Sequence, residues 1–197
     1  MSLTATKKLI APHGGHLVDR TGDRPEGVEK LEQLTLTLRE LSDLDMIASG
    51  ALSPLEGFMG RDDYERVVEE MRLASGIPWA LPVCLAVDHA PRGDRAALAD
   101  ESGTVYGVVE VEDVYDYDKE REAERCFRTT DDAHPGVARL YAQPGSYVAG
   151  RVTVFERVEP AFPELVIDTE QHEPEESARL ILAKLEELGL IESAVRA

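Results

Sequence analysis

Apolar and polar positions change period several times along this chain. From Leu41 to Met71 the period is helical and repeatedly interrupted. Ser42 is placed to cap a short helix, with Asp45 three residues on and Leu41 and Met46 as a hydrophobic staple. Gly50 supplies the left-handed residue that ends it. Ser53-Pro54-Leu55-Glu56 reads as a capping box with Pro at the first helical position, broken by Gly57 and Gly60. Asp62, with Glu65 three residues later, predicts a longer helix. Its apolar stripe is Tyr64, Val67, Val68 and Met71, at helical spacing.

Elsewhere the period is two. Gln33 to Arg39 sets Leu34, Leu36 and Leu38 against Thr35 and Thr37, which predicts a half-buried strand. Trp79 to Val87 reads as a strand whose prolines, Pro78 and Pro82, suit an entrance or an edge. Arg95–Ala99 and Thr104–Val111 predict a hairpin turned by Asp100-Glu101-Ser102-Gly103. Asp116–Asp118 is a polar joint. Lys119 to Phe127 predicts a short helix with Ala123, Cys126 and Phe127 inward. The polar loop Thr129–Pro135 leads into a helical turn through Leu140, and Ser146–Val158 alternates as a strand broken at Gly150. Short strands with helices between them imply an α+β fold, a small barrel-like sheet with helical decorations, rather than a doubly wound one.

After Pro160 the pattern changes. Phe162–Thr169 predicts a short strand, and Pro174 opens a helix with Glu175 and Glu176 at its positive end. Ala178, Ile181, Leu182, Leu185 and Leu188 form its stripe, and Gly189 ends it. The expected organisation is one domain over 1–160 and a strand–helix tail over 161–197.

Charge narrows the set of partners. With 21 Lys and Arg against 39 Asp and Glu, the net charge is −18. Such a chain repels phosphate backbones and anionic lipid, so neither nucleic acid nor a membrane is an expected partner. Cys84 and Cys126 are the only cysteines, and two isolated thiols suit a reducing compartment. The first fifteen residues hold no apolar run of signal-peptide length, and no segment approaches the roughly 20 apolar residues of a membrane span. A cytoplasmic location is expected.

Several motifs together resemble a known family. Asp43 to Leu85, with its SGALSPLEGFM core, the pair Asp63-Tyr64 and the segment from Met71 to Pro82, is similar to the amino-terminal, PUA-like domain of ATP sulfurylase (sulfate adenylyltransferase). PHGG at Pro12–Gly15, FRTTDDAHPGV at Phe127–Val137 and the closing YVAGRVTVFE extend the resemblance over about residues 10–158. It implies a PUA-like β-barrel. The tail, a PELVIDTE strand followed by PEESARLIL, is similar to the end of adenylylsulfate kinase. Both resemblances point to sulfate activation. The catalytic signatures of those enzymes are not in these residues: there is no Gln-x-Arg-Asn-Pro loop, and no Gly-Lys of a phosphate-cradling loop.

His13-Gly14-Gly15-His16 has the spacing of a nucleotidyltransferase His-x-x-His, in which paired histidines stabilise charge developing on an α-phosphate. Lys7 to Pro12 is a poor strand to precede such a site, so a tight Gly-Gly turn is the simpler account. His13 and His16 are the catalytic candidates only if the chain turns over at all. Three imidazoles can hold zinc, but nothing in the sequence shows that these two histidines and His134 converge and no cysteine cluster accompanies them, so unliganded loop histidines are preferred and no metal or cofactor is expected. Asp131, Asp132 and His134 can be read as an acid–base group, but turn chemistry ahead of Pro135-Gly136 is preferred. In the family this loop lies in an accessory domain, so Asp131 and His134 are interaction candidates. Tyr64 and Trp79 are better core residues than a base-stacking platform, and Ser53 is a cap rather than a nucleophile.

The function expected from this reading is a non-catalytic accessory domain that binds a sulfurylase or adenylylsulfate kinase subunit, or a second copy of itself. The alternatives are a minimal sulfate adenylyltransferase using the His13/His16 pair, and a PUA-like nucleic-acid binder that the charge disfavours.

Overall fold

The computed structural model describes residues 10–158, 167 and 173–187. The chain forms two compact units, Met1–Val158 and Glu159–Ala197. Among the described residues the first unit holds seven strands: β1 (Gln33–Thr35), β2 (Gly57–Phe58), β3 (Leu85–Val87), β4 (Arg95–Ala99), β5 (Val105–Glu110), β6 (Asp113–Asp116) and β7 (Ser146–Val154). Its helices are α1 (Leu38–Ala48), α2 (Arg61–Glu70), α3 (Lys119–Glu122) and α4 (Pro135–Ala142). The mixed α+β architecture is the expected one.

The sheet is organised by β7. Its first half pairs antiparallel with β3 and β6, through Val148↔Leu85 and Tyr147↔Tyr115. Its second half pairs with β5 and β2, through Val154↔Gly107 and Arg151↔Gly57. The strand order β1-β4-β5-β7-β2 completes the sheet, and its curl comes from β7 changing partners midway. Gly150 sits at that change with φ +151°, and a Cβ there would overlap the Glu110 carbonyl. Only a residue without a side chain permits the approach. The core between the sheet and α1 contains Leu36, Leu44, Ile47, Leu85, Leu98, Val109, Val148 and Val152.

The hairpin β4–β5 follows its turn chemistry. Asp100 Oδ1 accepts from Ser102 N–H and Thr104 N–H at 2.9 Å each, and Gly103 adopts φ +85°. Helix α2 buries Tyr64, Val67 and Val68, as its stripe predicts. It starts from Gly60 rather than from an Asp62 cap, with Asp62 and Asp63 in its first turn. Met71 is its left-handed C-cap at φ +54° and lies exposed, outside the stripe.

Other elements differ from the sequence reading. The strand read over Gln33–Arg39 ends at Thr35, because Thr37 caps α1. Thr37 and Glu40 form a reciprocal capping box, so Ser42 lies inside the helix and Leu38 faces outward. Ser53-Pro54-Leu55-Glu56 is a turn with a cis Ser53–Pro54 bond, not a helix. The Ser53 hydroxyl accepts from Val18 N–H at 2.9 Å and donates to Gly50 C=O at 2.7 Å. These bonds tie the N-terminal segment to the end of α1. The strand from Trp79 is confined to Leu85–Val87. β6, which the sequence reading did not include, runs up to the first residue of the polar joint read at Asp116–Asp118, and the helix from Lys119 widens after Glu122 into a π-turn over Ala123–Phe127.

In the second unit, α5 (Pro174–Glu187) has Pro174 first, then Glu175 and Glu176, as expected. It buries none of its side chains. Ile181 and Leu182 are exposed. The strand read at Phe162–Thr169 lies outside the described residues apart from Ile167, and so do Leu188 and Gly189.

Candidate functional site

Two concave surfaces and one buried polar cluster bring ionisable side chains of the first unit together. The larger concavity is a groove of about 760 Å³. Its walls are β1 and β3, and the first turns of α1 project into it. Glu40 is 6% exposed, yet its carboxylate is fully used. Oε2 accepts from Thr37 N–H and Thr37 Oγ1, both at 2.8 Å, and Oε1 accepts from Ala86 N–H at 3.3 Å. One carboxylate therefore caps a helix and closes the outer edge of β3. One turn further on, burial pushes the Asp43 carboxyl up while Arg39, 3.8 Å away, pulls it down. At one end of the groove Glu32 accepts from His89 Nε2–H at 3.0 Å and from Arg92 N–H at 2.8 Å. The Arg92 and His89 bonds hold the Glu32 carboxyl below its ordinary range.

The smaller concavity, about 500 Å³, is lined by Gly14, His16, Pro54, Glu56, Asp63 and Arg151 among others. His13 faces elsewhere. Its Nε2–H donates to Pro78 C=O at 2.8 Å, and its ring tilts against Trp79 at 5.9 Å between centroids. Gly14 and Gly15, at φ +79° and +94°, make the turn between the two histidines. The structure thus places His16 in a cavity and gives His13 a strapping contact. Trp79 is partly buried against the main core.

Asp131 and His134 organise the start of α4. Asp131 Oδ1 accepts from Ala133 N–H at 2.9 Å, and His134 Nδ1 accepts from Gly136 N–H at 3.2 Å as the helix cap. The His134 ring rests on Phe127 at 5.2 Å. Both side chains remain exposed. Among the described residues no group of three or more His, Cys, Asp or Glu side chains is placed to hold a metal ion. No described helix is long and apolar enough to cross a membrane.

The buried cluster is barely legible in the sequence. Glu122, 6% exposed, accepts from Tyr64 OH at 2.9 Å and from Tyr147 OH at 3.1 Å. Tyr117 stacks on Tyr147 at 3.7 Å, and Tyr115 donates to Met59 C=O at 2.8 Å. Burial raises the Glu122 carboxyl, against the opposing pull of its two tyrosine donors. Burial likewise lifts Tyr117 to about 12 and Cys126 to about 11. Outside the cluster, Glu69 on α2 holds Arg121 at 2.7 Å and Arg125 at 3.5 Å. Glu122 and Glu69 together fasten α3 and the π-turn to α2 and β7. Only the inward position of Ala123 and the apolar stripe carrying Tyr64 hint at this in sequence.

Comparison with known proteins places the first unit. A PUA-like domain model matches residues 10–157. The sulfate adenylyltransferase of Symbiobacterium thermophilum is 49% identical over 166 residues, covering 79% of this chain and 42% of that protein. That of a Synechococcus species is 44% identical, covering 86% and 46%. A probable bifunctional SAT/APS kinase of Sorangium cellulosum is 45% identical, covering 79% of this chain and 29% of its own length. The solved hexameric APS kinase from Thiobacillus denitrificans superposes with a TM-score of 0.55 at 26% identity, covering 89% of this chain and 32% of that one. The chain spans less than half the length of these relatives. It belongs to the PUA-like domain family, in the form found within sulfate adenylyltransferases.

Proposed function

We propose that this protein is an accessory PUA-like unit of sulfate activation, without adenylyl transfer of its own, whose work is to bind a sulfate adenylyltransferase or adenylylsulfate kinase subunit. One observation carries the reading. The similarity to sulfate adenylyltransferases runs through the PUA-like unit, while these 197 residues contain neither a Gln-x-Arg-Asn-Pro loop nor any Gly-Lys. The placement of His13 supports it, since its Nε2 is committed to a backbone carbonyl. The bifunctional relative supports a kinase as partner, and the hexameric neighbour supports assembly with further copies. The exposed loop at Asp131 and His134 and the tail over 161–197, whose α5 presents Ile181 and Leu182, are proposed contributors to that binding.

The test is sedimentation of the purified chain mixed in turn with the sulfate adenylyltransferase and the adenylylsulfate kinase of the same cell. The expected result is co-sedimentation with one of them, weakened when residues 161–197 are removed. Independent sedimentation from both would overturn the proposal.

A further inference from the structure

The two walls of the large groove are finished differently. The outer edge of β3 is sealed, because Ala86 N–H is bonded to the buried Glu40 carboxylate. The facing edge, β1, has no strand on it among the described residues. Among the described residues β1 ends the strand order and pairs only with β4, in parallel, with Leu34 opposite Leu98. Ala97 N–H donates to Glu32 C=O and Leu36 N–H donates to Ala99 C=O, so alternation turns the Leu34 amide group toward β4. The N–H and C=O groups of Gln33 and Thr35 therefore point away from the sheet, with no partner among the described residues. Natural edges are usually guarded by lysine, proline, an inward charge or a bulge. β1 is Gln33-Leu34-Thr35: its three-residue length is its one guard, and it carries no lysine, proline, inward charge or bulge.

The surroundings of that edge are suited to a ligand strand. Leu38, just past β1, is 76% exposed and lines the groove together with the small residues Cys84 and Ala86. The ionisable residues of the lining are Glu40, Asp43, Asp88 and Glu101 against Arg39 and Arg139, a formal balance of 2 − 4 = −2 with His89 neutral. Asp88 and Glu101 are exposed and make no ion pair among the described residues. The whole chain, at −18, adds a long-range field of the same sign.

We infer that the β1 edge is a strand-addition site: it takes an extended segment of a partner protein in which lysine or arginine side chains flank an apolar one. The main-chain bonds go to Gln33 and Thr35, the apolar side chain packs on Leu38 over Cys84 and Ala86, and the basic side chains meet Asp88 and Glu101. The inference rests on the partner-binding function proposed above and names its surface.

The test selects linear decapeptides from a random displayed library on the full chain, then titrates the selected peptide while following backbone amides by NMR. Enrichment of basic, β-branched sequences is expected, with shifts and slowed exchange at the amides of Gln33 and Thr35. Thr35→Pro removes one outward donor and should weaken binding at least tenfold. Leu38→Ser, which removes the apolar contact without adding charge at an exposed position that does not threaten folding, should do the same. Absence of enrichment, shifts confined to other surfaces, or unchanged affinity in both variants would overturn the assignment. A sulfurylase or kinase subunit that binds wild type, Thr35→Pro and Leu38→Ser equally would sink the groove and leave the accessory function standing. A basic strand bound at β1 with neither subunit binding would do the reverse.

Discussion

Glu122 is the residue whose chemistry is most strongly set by its surroundings. Its carboxyl is raised by burial, so the folded chain holds that proton more tightly than the unfolded chain does. Stability from this group is therefore complete below the ordinary carboxylate range and is lost as pH climbs through the raised value. Glu122→Gln keeps an acceptor for Tyr64 and Tyr147 and cannot ionise. The variant should match wild type in acid and exceed it at neutral pH, as read by midpoints of thermal unfolding at pH 4 and pH 7. A wild type that gains on the variant as pH rises would show that the two tyrosine donors outweigh desolvation. Gly150 is the second decisive residue. Gly150→Ala drives a Cβ into the Glu110 carbonyl and should cost about 1–3 kcal/mol in urea unfolding, the usual range for an overpacked site.

At the scale of elements, α1 is the hinge between sheet and groove. Thr37→Ala removes one half of its capping box and should lower stability by about 1 kcal/mol. Glu40→Ala should lose more in the same denaturation experiment, because it also strands the Ala86 N–H at the β3 edge. Equal losses would mean that the bond to Ala86 contributes nothing. This helix also shows what sequence can and cannot reveal. Leu34, Leu36 and Leu38 alternate like a strand, while Thr37 and Glu40 stand three apart like a helix start. Both signals are real and overlap, and the structure obeys the first through Thr35 and the second from Leu38. Ser53-Pro54-Leu55-Glu56 misleads for a different reason. Its serine is claimed by Val18, thirty-five positions away, and no local rule sees that partner. β6 is invisible because Asp113 and Asp116 bracket only two apolar residues, and its pairing with β7 makes it a strand. By contrast, the buried stripe Tyr64, Val67 and Val68 of α2 and the hairpin at Asp100–Gly103 were legible because their determinants lie within a few residues of one another, although the Asp62 cap did not form. The groove was not legible, since β1, β3 and α1 meet only through long-range packing.

At the scale of the whole molecule, family and fold agree on a PUA-like unit, and the question is whether it acts alone. The two histidines at nucleotidyltransferase spacing are the catalytic candidates for adenylyl transfer, and the structure separates their surroundings. His13 is bonded to Pro78, and His16 lines a cavity with Asp63 and Arg151. If the pair only shapes the N-terminal turn, His13→Ala should lower thermal stability modestly through the lost Pro78 and Trp79 contacts and leave partner binding intact. The most direct measurement is pyrophosphate release from ATP by the purified chain in the presence of sulfate or molybdate. The account predicts none above background in a sample whose folding is verified. Release that disappears in His16→Ala would contradict it and place adenylyl transfer in this unit.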